Sequence, residues 1–120
     1  CAETGGVIGI NGIGAFLGES IEPETFVDHV VYVAELVGAE HVGLGLDYAD
    51  EDEAGDIDEL FQENIDFWPP DQYKGSLGGF LNPKMIPRII ELVLSRGFST
   101  AEVSGILGGN FRRVAERVWK

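Results

Sequence analysis

Short apolar runs alternating with stretches of three- and four-residue periodicity mark the chain as α/β. Val7-Ile8-Gly9-Ile10-Asn11 reads as a short buried strand with a glycine-rich exit at Gly12 and Gly14. Cys1 to Gly6 resembles the last turn of a helix closed by a glycine, which predicts earlier turns before Cys1. Pro23 suits the first turn of the next helix. There Phe26, Val27, Val30, Val31, Ala34 and Val37 form one apolar face, and Gly38 stops it. His41-Val42-Gly43-Leu44-Gly45-Leu46-Asp47 is a second buried strand, and it ends on a carboxylate. Strand, helix and strand in that order predict a βαβ unit with parallel strands and a right-handed crossover.

Residues 49–82 lack such a period. Nine Asp or Glu fall between Asp50 and Asp66, followed by Trp68-Pro69-Pro70 and the glycines from Gly75 to Gly79. An irregular acidic segment is predicted, with one short helix around Ile57–Ile65. Asn82 and Pro83 open a further helix with Met85, Ile86, Ile89, Ile90, Val93 and Leu94 as its apolar positions and Gly97 as its stop. Ser99-Thr100-Ala101-Glu102 has the spacing of a capping box and starts a short helix to about Leu107. Gly108-Gly109-Asn110 breaks it, and Phe111, Val114, Ala115 and Val118 form the inner face of a last helix.

One hundred and twenty residues make one domain with one core. At 44% hydrophobic and 24% charged the composition is globular, and no apolar run nears the ~20 residues of a spanning helix. A single cysteine rules out an internal disulfide. The formal net charge of −13 is unevenly spread. Residues 1–73 hold eighteen acids and no Lys or Arg, whereas residues 74–120 hold all eight bases and three acids. So acidic a chain is repelled by nucleic acid and by anionic membranes. The asymmetry predicts that the C-terminal part lies against acidic surface, its own or a partner's.

Most familiar site patterns fail on their spacing. Gly12-Ile13-Gly14 lacks the third glycine of a dinucleotide loop, and Pro23 delays the helix that would receive a pyrophosphate. Asp50 to Phe61 begins like a calcium loop but has Ala54 at its fifth position and Phe61 where a bidentate Glu belongs. Ser99 to Lys120 could pass for a helix-turn-helix with Arg112, Arg113 and Arg117 on its second helix. Its apolar positions instead predict a packed terminal helix whose arginines face outward or pair with carboxylates. His29 and His41 are too few and too far apart for a zinc constellation, and no Ser or Cys stands beside a plausible base. Asp47 remains. Ligand crevices of α/β proteins lie outside the carboxyl ends of the strands, so Asp47 is either a reaction-site carboxylate or a solvated Asp opening a loop.

Three stretches, taken in order, resemble the membrane (renal) dipeptidase family of zinc dipeptidases. They are Gly5 to Asn11, Asp28 to Asp47, and Arg96-Gly97-Phe98-Ser99 through Gly108-Gly109-Asn110-Phe111-Arg112-Arg113-Val114. The resemblance covers most of the chain except residues 49–80. It implies the C-terminal part of a (β/α)8 barrel metallohydrolase that hydrolyses dipeptides. Residues 1–48 would be a βαβ unit carrying the last two parallel strands, 49–82 the acidic irregular segment, and 83–120 the closing helices. It further implies that Asp47 is the family's catalytic, proton-shuttling aspartate. Asn11, Phe16 and Tyr48 fall at substrate-pocket positions. Phe16 stands where relatives often carry an aromatic hydroxyl, and Tyr48-Ala49-Asp50 replaces the usual aromatic-Asp-Gly. The two zinc ions of such enzymes take His, Asp and Glu ligands from earlier strands, so no metal ligand is expected in this chain. Its expected partners are the N-terminal remainder of the barrel, or another copy of the chain, and a dipeptide substrate. Alone it is expected to be inactive. The alternative is a stand-alone acidic α/β module that oligomerises or binds a protein partner without catalysis.

Overall fold

The computed structural model describes residues 1–50, 59, 62–69 and 78–119. A single turn at Ala2–Thr4 ends on Gly5 in the left-handed conformation, as the glycine closure predicts. Strand β1 (Ile8–Asn11) leads through a turn at Gly14–Phe16 into helix α1 (Pro23–Val37). A turn at Ala39–His41 then feeds β2 (Val42–Gly45). The two strands are parallel neighbours, with Ile8 opposite Val42 and Asn11 opposite Gly45. The architecture is therefore α/β, with a two-stranded parallel sheet among the described residues. The second strand stops earlier than its sequence predicts. Pairing continues through Gly12 N–H to Leu46 O at 3.1 Å, and Asp47 then turns left-handed at φ 53°.

After the acidic segment, a turn at Pro83–Met85 opens α2 (Ile86–Ser95). Asn82 caps that turn by accepting the Lys84 N–H at 2.9 Å. Helix α3 (Thr100–Ser104) starts on the predicted capping box: Ser99 N–H donates to Glu102 at 2.8 Å and Glu102 N–H donates back to Ser99 Oγ. Those bonds from Ser99, the backbone one foremost, hold the Glu102 carboxyl below its ordinary value. The helical turns run on past Ser104 to about Leu107, as expected. The helix widens over Gly105–Gly109, kinks where Gly108 takes φ 154°, and restarts as α4 (Asn110–Val118). The helix expected near Ile57–Ile65, and the calcium-like spacing from Asp50 to Phe61, lie largely outside the described residues. No helix among the described residues is long and apolar enough to cross a membrane.

The core lies on one face of the sheet. Ile10 and Val42 point toward Phe26, Val27 and Val30 of α1, and Leu81, Ile89, Val93, Val103 and Ile106 complete the cluster. Ile8, Leu44 and Leu46 pack at its margin. Fully burying side chains of this size contributes about 1.5–3 kcal/mol each, which outweighs the exposed ion pairs of the surface. Those pairs nonetheless resolve the charge asymmetry. Arg88 of α2 bonds Glu24 of α1 at 2.8 Å, and Arg96 bonds Asp28 at 2.6 Å. For Arg88 and Arg96 the acidic partner is thus the chain's own surface. The Arg88 hydrogen bond holds the Glu24 carboxyl below its ordinary value and raises the guanidinium in turn.

The last helix departs from expectation. Val114 and Ala115 are half-buried, but Phe111 is 41% exposed and Val118 is 64% exposed. Two strands offer too little surface to cover that face. Beside the Phe111 ring, which packs over Gly9 and Gly43, the helix is held by polar staples. Asn110, buried at the junction, donates from Nδ2 to the carbonyls of Ala39 and Val42, both at 2.8 Å. Arg113 donates to the carbonyls of Gly5 and Glu40 at 2.9 and 2.8 Å. Removing Asn110 leaves two carbonyls short of a donor in a nearly dry setting. Asn110→Ala is expected to destabilise by about 2–4 kcal/mol in urea unfolding; a cost near zero would show that water replaces the amide.

Candidate functional site

Pleating decides what stands at the carboxyl end of the sheet. Successive side chains of a strand point to opposite faces. With Ile8, Ile10, Val42 and Leu44 turned toward the core, Gly9, Asn11, Gly43 and Gly45 form the other face. Three of those four positions carry no side chain. Near its amino end the face is filled by Phe111, whose ring lies over Gly43 and Gly9; a Cβ on Gly43 would run into that ring. At its carboxyl end stand Asn11 and, beyond Gly45, Asp47.

Asn11 and Asp47 meet. Asn11 donates from Nδ2 to Asp47 Oδ2 at 3.4 Å and accepts the Ile13 N–H at 2.7 Å on Oδ1. The segment entering α2 returns to the same end. Leu81 N–H donates to Gly12 O at 2.8 Å, Gly14 N–H donates to Gly79 O at 2.9 Å, and Ile13 bridges Phe80. That close approach is what the exit glycines allow: a Cβ on Gly12 would lie 2.7 Å from Leu46 O. Tyr48 sits edge-on to Phe80 with centroids 6.5 Å apart. Its hydroxyl donates to Asp50 Oδ1 at 3.1 Å and accepts from Asn82 Nδ2 at 3.4 Å.

Of the residues singled out in the sequence, Asn11 and Asp47 are thus brought into contact. Tyr48 lies one residue on, within a polar and aromatic cluster. Phe16 enters from a different element, the turn after β1, and is 48% exposed. Asp47 is exposed, an accessible carboxylate at a strand end. Asn82, Phe80 and Asp50 were not foreseen as neighbours of Tyr48. Asn82 announced itself only as a helix opener, and its reach back across 34 positions has no local signal.

Among the described residues no three His, Cys, Asp or Glu side chains gather as a metal site. These residues by themselves do not fit a zinc pair. His41 serves the opposite end of the strand, its Nδ1 placed 2.7 Å from Gly6 O. An open apolar groove of about 500 Å³ also lies away from Asp47, lined by Val7, Phe111, Val114, Ala115, Val118 and Trp119. Its one charged lining residue is Arg112, and it bears no carboxylate.

The profile of the family described as membrane dipeptidase (peptidase family M19) matches residues 1–62. Dipeptidase tcpJ of Claviceps purpurea is 28% identical over 100 residues, 83% of this chain and 18% of that protein. Dipeptidase aclJ of Aspergillus oryzae is 30% identical over 87 residues, 72% of this chain and 15% of that protein. An uncharacterized protein in the pqqA 5' region of Klebsiella pneumoniae is 28% identical over 124 aligned residues, 98% of this chain and 37% of that protein. The chain therefore spans well under half the length of these relatives. No solved structure gives a significant match.

The interlock of Gly43 with Phe111 is open to a direct check. Gly43→Ala forces the ring aside and is expected to cost about 1–3 kcal/mol. In a Phe111→Ala background the same substitution should cost markedly less, because the two positions share one space. Equal costs in both backgrounds, read from urea midpoints, would separate them.

Proposed function

The chain belongs to the membrane dipeptidase family, and on that premise we propose that it forms the C-terminal part of a (β/α)8 zinc dipeptidase in which Asp47 carries the proton. One observation supports this reading above the rest. On the sheet face turned away from the core the strands carry no side chain until its carboxyl end, where Asn11 and Asp47 stand together. Barrel enzymes keep their chemistry at that end of their strands, on the inward face.

Hydrolysis of a dipeptide forms a bond from water oxygen to the carbonyl carbon and breaks the bond from that carbon to nitrogen. A carboxylate within reach of both atoms accepts the water proton as the first bond forms, then delivers it to the departing amine. It ends ionised, ready for another cycle. Asp47 suits that task by its place and its exposure. Tyr48 and Phe80 offer an apolar edge beside it, and with Asn11 and Phe16 they make up the substrate-facing candidates. Zinc ligands would come from outside these residues, as would the remaining strands. Two strands cannot close a barrel.

A second reading, an acidic α/β module that associates with another chain, is favoured by the exposed groove beside α4, where Trp119 is 80% exposed. It predicts a self-associating species and no hydrolysis in any context. Dipeptide hydrolysis by the full-length protein tests both. Asp47→Asn is expected to lower kcat by about 10²–10⁴ with metal content unchanged, and the 120-residue chain alone should show no hydrolysis. A full-rate Asp47→Asn enzyme, or an active isolated chain, would sink the proposal.

A further inference from the structure

Asn11 serves two partners at once, and their chemistry fixes which end of its amide faces which. The Ile13 N–H can only donate, so the carbonyl oxygen of Asn11 must face it, as it does at 2.7 Å. The NH2 end is then directed at Asp47 Oδ2. Backbone geometry thus aims the donor. Gly45, the register partner of Asn11, places no side chain between the two. The Gly12 to Leu46 hydrogen bond keeps the strands together up to the residue before Asp47. Asp47 itself leaves the strand in the left-handed conformation, which a short polar side chain tolerates and few others do. At 3.4 Å the contact is long for a hydrogen bond, as such contacts often are before substrate binds.

We infer that Asn11 is a positioning residue for Asp47: it orients the carboxylate for proton transfer and does not itself hold the dipeptide. The inference rests on the reading of Asp47 as the proton carrier. It reassigns Asn11 from the substrate-facing group, because both ends of its amide are already engaged by the protein.

Asn11→Asp in the full-length enzyme is the discriminating variant. It keeps an oxygen for the Ile13 N–H, so the turn after β1 survives, but it replaces the donor with a second carboxylate. The expected result is a kcat for dipeptide lower by about 10- to 100-fold, with melting temperature and zinc content as in the parent. KM should stay within about twofold, since Asn11 acts on the carboxylate and makes no contact of its own with the dipeptide. In an Asp47→Asn background, Asn11→Asp should cause no further loss, because the group it orients has gone. Asn11→Ser, a shorter acceptor for the same N–H, should reproduce the kcat loss if the Asp variant folds poorly. A full-rate Asn11→Asp or Asn11→Ser enzyme overturns the inference, and so does a loss carried by KM. The two layers separate cleanly. An active Asp47→Asn enzyme removes the underlying reading, whereas an inactive one beside a full-rate Asn11→Asp enzyme removes only the positioning role.

Discussion

Phe26, Val27 and Val30 of α1 press on Ile10 and Val42, and this dry contact sets the direction in which every residue of both strands faces. A shift of one residue in either strand would turn its core side chains outward. Because Ile10 and Val42 are committed to the core, Gly9, Asn11, Gly43 and Gly45 are committed to the other side. The position of Asp47 follows from the same constraint. It lies two residues beyond Gly45, past the final paired carbonyl at Leu46, where a left-handed turn releases the carboxylate from the strand.

The C-terminal helices secure that arrangement without supplying any of its chemistry. Helix α2 adds Ile89 and Val93 to the core and reaches α1 through Arg88 and Arg96. Both ion pairs are exposed, so they fix the mutual register of two helices more than they hold them together. The stronger tie is at the start of α4. There the single Asn110 amide satisfies carbonyls from both the turn before β2 and the first residue of β2. Arg113 repeats the device one turn on, joining the carbonyls of Gly5 and Glu40. The amino ends of both strands are thereby tied to one helix.

Local signals account for what could be read directly. Pro23 and Gly38 bound α1 as predicted, and Ser99 with Glu102 forms the capping box of α3. The short apolar runs Val7–Asn11 and His41–Asp47 identified both strands, and the order of elements gave their parallel pairing. What stayed hidden depends on contacts between distant positions. Asn110 looked like a helix breaker, because nothing near it in sequence reveals the carbonyls it would meet about seventy residues away. Phe111 and Val118 were expected inside on periodicity alone, yet periodicity says only that residues share a face, not that anything covers it. The lopsided charge indicated an acidic surface for the basic half, and only packing could show that Glu24 and Asp28 belong to it. At the candidate site, Asp47 was legible as a strand-terminal carboxylate. Its contact with Asn11 needed the register.

The bare face is where the two ends of the sheet divide their roles. A side chain at Gly43 would collide with Phe111, and one at Gly45 would crowd the backbone of Gly9 at about 3.2 Å. Glycine is needed there for approach rather than for turning. The amino end uses that room to seat an aromatic ring from α4, which ties the terminal helix to the strands. At the carboxyl end the first side chains to appear are an amide and a carboxylate, already in contact. Three residue positions along β1 thus carry the change from packing to polar chemistry, from Phe111 over Gly9 to Asn11 beside Asp47. Such a short span leaves no intervening layer of side chains to buffer one end from the other. The order at Asn11 and Asp47 consequently depends on the same strand pairing that the core face enforces.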